Sequence, residues 1–129
     1  MKTIKILYLL TTMVFCINLY GQNHSLKVEF IKTDNEYLKV LNDGKKSCSF
    51  FIEGIKSQKQ AENLENYIRG YRGVEQFNII KNTDGKYKAE GIFYSFANAQ
   101  YFKYLFQLIN VEKVYINNQW INVEQFNNL

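Results

Sequence analysis

Apolar and polar residues alternate over residues 26–32, with Leu26, Val28 and Phe30 on one side and Lys27 and Glu29 on the other. A period of two predicts a half-buried strand. A second apolar run, 37–41, precedes Asn42-Asp43-Gly44. That turn signal suits a hairpin, and the run is also short enough for a single helical turn. Alternation returns over 47–53, where Cys48, Phe50 and Ile52 oppose Ser49, Phe51 and Glu53. Over 57–72 the period lengthens: Ala61, Leu64, Ile68 and Tyr71 follow one another at three, four and three residues. That is the stripe of an amphipathic helix, and Gly70 and Gly73 mark its end. Residues 75–81 read as a strand with Phe77 and Ile79 inward, and 87–94 as its return, with Tyr87, Ala89 and Phe93 opposite Lys88 and Glu90. Between them Asp84-Gly85 is a favoured hairpin pair. A second helix is predicted over 96–109, stopped by Asn110, followed by a short strand over 114–117.

The core succession is strand, helix, strand, strand, helix, strand. Right-handed crossovers place both helices on the same side of the sheet. The predicted fold class is α+β: a ferredoxin-like split βαββαβ domain, an antiparallel four-stranded sheet with two helices on one face, plus an N-terminal β extension. The predicted boundaries are a signal peptide over 1–21, the extension over 22–46, the ferredoxin-like domain over 47–120 and a C-terminal tail over 121–129.

The opening segment differs from the rest. Lys2 and Lys5 flank a positive start, residues 6–17 are twelve uncharged, mostly apolar positions, and Leu19-Tyr20-Gly21 ends on a small residue. The apolar stretch is shorter than the roughly 20 residues of a membrane span. It has the form of an export signal cut at Gly21|Gln22. Phe15 before Cys16 is too large for a lipoprotein site, so the expectation is export to periplasm or medium with no membrane anchor. Removing 1–21 leaves 108 of the 129 residues, takes the net charge from +4 to +2, and keeps eighteen aromatic residues. So aromatic a chain forms a core rather than staying disordered. Cys48 is then the lone cysteine, with no intramolecular disulfide open to it. Its face, shared with Phe50 and Ile52, predicts a buried thiol.

Residues 51–116 resemble the heavy-metal-associated domains, the small copper-chaperone family. Glu53-Gly54-Ile55-Lys56-Ser57-Gln58-Lys59-Gln60 stands where that family has its metal loop, and Gly73-Val74-Glu75-Gln76-Phe77-Asn78-Ile79 matches its Gly-Val strand entry, sixteen residues after Ser57. The resemblance implies the ferredoxin-like fold. The family's two metal-binding cysteines are Ser57 and Gln60 here, and a hydroxyl and an amide do not hold a soft metal such as Cu(I). Ser57 and Gln60 read instead as a helix capping box.

Other chemistry is scarce. The only histidine is His24, so no Ser-His or Cys-His pair sits in the folded part. Glu62 and Glu65 fall on the polar side of the first helix, and Gly70-Tyr71-Arg72-Gly73 is a helix end rather than a phosphate loop. Neither an enzyme nor a cofactor is expected. Phe51, Tyr94 and Tyr115 are candidates for an open sheet face of the kind that stacks RNA bases. A charge of +2 with no basic stripe argues against nucleic acid. The second helix points elsewhere: seven of the nine residues 101–109 are apolar or aromatic, an arc of about 200° against the roughly 100° that one sheet buries. Either the N-terminal extension or another protein covers its edges. The candidate interaction surface is therefore Tyr104, Phe106 and Phe102, with Phe51 and Tyr115, and the expected role is a non-enzymatic protein-interaction or self-associating structural module. The alternative is a copper-binding domain without cysteine ligands. A chain cut after Gly21 begins Gln22-Asn23-His24, and an amine, two amides and an imidazole suit square-planar Cu(II) or Ni(II).

Overall fold

The computed structural model describes residues 25–129. The expected signal segment and cleavage site, with Cys16 and His24, lie outside the described residues. Seven strands form one sheet: β1 (Leu26–Ile31), β2 (Lys39–Val40), β3 (Lys46–Glu53), β4 (Val74–Lys81), β5 (Tyr87–Phe93), β6 (Val111–Ile116) and β7 (Gln119–Asn122). Helix α1 (Gln58–Arg69) joins β3 to β4, α2 (Ala99–Leu108) joins β5 to β6, and a short 3-10 turn (Val123–Gln125) follows β7.

The sheet corrects the predicted fold class. Its order is β4-β5-β3-β1-β6-β7, with β2 also paired to β3, and β1 runs parallel to β6 while the other pairs are antiparallel. It is a mixed seven-stranded sheet, not an antiparallel four-stranded ferredoxin-like one. The stretch 26–31, expected as a peripheral extension, is an interior strand lying between β3 and β6. The alternation that identified it as a strand explains this place. Leu26, Val28 and Phe30 are buried at 5% exposure or less, a degree of burial that an interior strand provides. The ladder against β3 then breaks, the chain makes an excursion over 32–38, and β2 resumes it at Lys39↔Ser47.

One face of the sheet carries the core. The pairs Val28↔Ile52, Phe30↔Phe50, Phe50↔Ala89 and Ile79↔Ala89 put their buried side chains on the same side, and Ala61 and Ile68 of α1 with Phe102, Leu105 and Phe106 of α2 join that cluster. Local chemistry sets the helix ends. The Ser57 hydroxyl accepts from the Gln60 N–H at 3.1 Å, while the Gln60 amide oxygen accepts from the Lys56 N–H at 2.7 Å rather than from Ser57. The Asn98 side chain caps α2 by accepting from the Tyr101 N–H at 2.9 Å. Asn110 stops α2 at φ 63°. Gly73 adopts φ +90° directly beneath the Phe96 ring, where an added Cβ would lie 2.7 Å from a ring carbon.

The C-terminal stretch is not a free tail. Asn117 and Asn118, at φ 52° and 65°, make a left-handed turn between β6 and β7. The chain then crosses back so that Phe126 is fully buried, its ring 5.6 Å from Phe30 and 6.3 Å from Phe106.

Candidate interaction surface

The five residues expected to form one surface lie in three layers. Phe102 and Phe106 are fully buried, so they form no part of a surface. The inserted strand is the reason. The crossover from β5 to β6 passes over both β3 and β1, and α2 therefore packs on a broader floor than a four-stranded sheet offers. Phe106 meets Phe50 of β3 at 5.5 Å and Phe30 of β1 at 5.7 Å, and Phe102 meets Phe30 at 5.9 Å. Phe126 closes the remaining side. Much of the apolar arc of α2 is thus consumed inside the domain. Tyr104, at 56% exposure, and Leu108 remain outside it. Near this end of α2, Leu64, Tyr67, Leu108 and Ile109 line an open groove of about 890 Å³ beside α1.

Phe51 and Tyr115 lie on the opposite side of the molecule. No described helix covers that sheet face, and strand register arranges its side chains in rows. One row runs through Ile80, Lys88, Phe51, Glu29, Tyr115 and Trp120, each opposite the next on the neighbouring strand. Ile31, Ser49, Glu90 and Asn78 form the row beside it. The face is therefore apolar in patches and laced with charge. Tyr115 and Trp120 meet edge to face at 5.2 Å, the Lys27 ammonium stands 5.9 Å above Trp120, and Lys86 stands 5.4 Å above Phe51. Such cation–π contacts hold the lysine stems flat against the sheet. Lys88 and Glu90 pair at 3.1 Å. Tyr94 sits at the end of this face, in edge contact with Phe96 and under the Lys45 ammonium.

Trp120 and Glu29 were not singled out by sequence reasoning. Gln119-Trp120-Ile121-Asn122 shows no alternation that would have marked Trp120; for Glu29 the signal was the polar phase of 26–32.

Titration and ligand chemistry are sparse. Cys48 is buried, and desolvation pushes its thiol well above the usual range. Burial likewise raises the Tyr101 phenol, with the neighbouring Tyr71 adding to the shift, and its hydroxyl donates to the Arg72 carbonyl at 2.7 Å. Among the described residues no three His, Cys, Asp or Glu side chains gather as a metal site. Ser57 and Gln60 are engaged in the helix cap. No described helix is long and apolar enough to cross a membrane.

No protein-family model matches this chain, and no curated protein or solved structure matches it either.

Proposed function

We propose that this chain is a small exported, non-enzymatic module that acts by binding another protein across the open face of its sheet. One observation carries the reading: the row Ile80–Lys88–Phe51–Glu29–Tyr115–Trp120 crosses six strands with no covering element among the described residues, and Trp120 and Ile80 stand 41% and 53% exposed at its ends. Aromatic side chains interleaved with charge are the composition of protein contact surfaces, where rigid rings supply area and the charges select the partner.

Site-specific photo-crosslinking in the cells that make the protein tests this. A photoreactive residue at Phe51 or Tyr115 is expected to capture a protein partner, and one at Glu62, on the outside of α1, is not. With the photoreactive residue moved to Trp120 in the same row, the double substitution Phe51→Glu with Tyr115→Glu should abolish capture while leaving the circular dichroism unchanged. Capture from Glu62 alone, or none from either sheet position, refutes the assignment.

A further inference from the structure

Among the described residues strand β4 is an edge of the sheet, and two of its outward backbone groups are already occupied. The Glu65 carboxylate, reaching over from α1, accepts from the Ile79 N–H at 2.7 Å. Arg69, one turn later, donates from Nε to the Phe77 carbonyl at 2.7 Å and from its terminal nitrogen to the Asn78 side chain at 2.8 Å. The two side chains also pair with each other at 3.1 Å. Together they take the hydrogen-bonding places of a neighbouring strand.

The strand beneath this clasp is complementary to itself. If a second copy approaches antiparallel, with the two-fold axis at Asn78, Phe77 faces Ile79 of the second copy and Ile79 faces its Phe77. Opposed residues of that kind exchange both N–H···O=C bonds. Among the four groups each such pair would exchange are the Ile79 N–H and the Phe77 carbonyl, the two that Glu65 and Arg69 now hold. One register step outward Gln76 faces Ile80, and beyond it the register of β4 shifts at Glu75, whose carboxylate pairs with Lys45 at 2.7 Å. A two-fold contact repeats each of the pairs about Asn78.

We propose that β4 is a self-pairing edge, and that the Glu65–Arg69 clasp keeps it closed against a second copy of this chain. Opening the clasp frees the Ile79 N–H and the Phe77 carbonyl on an edge that is regular over Gln76–Lys81, and unpaired edge groups are the usual template for strand addition.

Light scattering of the full chain carrying Glu65→Ala with Arg69→Ala is expected to give twice the monomer mass, at concentrations where the unaltered chain is monomeric. Glu65→Gln retains an acceptor for the Ile79 N–H and is expected to stay monomeric. Register is read by disulfide formation in a Cys16→Ser background. Directly opposed residues at a non-hydrogen-bonded position approach to about 4.5 Å between Cα atoms, within disulfide range. Asn78→Cys should therefore crosslink two opened chains on mild oxidation, and Gln76→Cys should not. The proposal is overturned if the double variant stays monomeric, if it associates without the Asn78→Cys crosslink, or if the unaltered clasp allows that crosslink equally. Loss of native circular dichroism in the double variant overturns it too, since the fold must stand with its clasp open.

Discussion

Replacing Phe126 by alanine tests whether the last residues belong to the core. Its ring is fully buried, stacked on Phe30 at 5.6 Å and inclined to Phe106 at 6.3 Å. Burying a phenylalanine contributes about 2 kcal/mol by transfer alone. Removing it leaves a void of about 100 Å³, which at roughly 24 cal/mol per Å³ adds about 2 kcal/mol. The segment lies near a chain end and can partly collapse into the space, so the expected loss is about 3 kcal/mol. With a urea slope of about 1.5 kcal/mol per molar, the midpoint should fall by about 2 M. The transition is followed by far-ultraviolet circular dichroism and by fluorescence of Trp120, the single tryptophan. Coincident curves are needed, because Trp120 sits in the neighbouring β7 and would report a local detachment first. Deleting residues 127–129, all exposed, should shift the midpoint little. A loss below about 1 kcal/mol for Phe126→Ala would refute the closed-core account of this stretch.

Gly73→Ala should destabilise by about 1–3 kcal/mol, since the position needs φ +90° and a methyl would strike Phe96; a midpoint unchanged in urea would remove both reasons at once. Cys48 should resist a bulky thiol reagent until the domain unfolds, and labelling at the rate of a free peptide thiol would contradict its burial. Because its folded-state thiol is raised, the unfolded chain ionises first. Stability should therefore be flat below about pH 8.5 and fall above it, by up to about 1.4 kcal/mol per pH unit. Cys48→Ala should remove this slope between roughly pH 8.5 and 10, below the range where Tyr101 contributes in the same sense.

Much of the local structure follows from short-range pattern. Phe50 and Phe51 are adjacent and chemically alike, yet parity alone assigned the first to the core and the second to the open face, and they lie there. Ser57, Asn110 and the Asp84-Gly85 turn likewise act through their nearest neighbours. What the pattern does not carry is adjacency between distant strands. Leu26, Val28 and Phe30 announce a strand with one buried side, but nothing in their spacing says that its neighbours are β3 and β6. That single misplacement propagated: with β1 set aside, the arc of α2 looked too broad for its sheet, and Phe102 and Phe106 were taken for surface. Phe126 was missed for a different reason, since one aromatic after a turn has no periodicity to show which way it faces. The face bearing Phe51 and Tyr115 was partly readable, and its extent became visible only once register joined them through Glu29 to Trp120.

The parallel pairing of β1 with β6 has a kinetic consequence. It brings Leu26–Glu29 beside Val111–Tyr115, positions some 85 residues apart, so the longest-range strand pairing in the domain joins its first strand to its sixth. During synthesis β1 emerges early and waits, one side unsatisfied, until nearly every later residue has been made. Folding that depends on so distant a contact is slow, on the order of milliseconds to seconds. A chain cut short before β6 keeps the middle of its sheet as an open edge. Under the proposed export, that delay would work as a timer: the nascent chain has no finished domain to unravel before it is handed across.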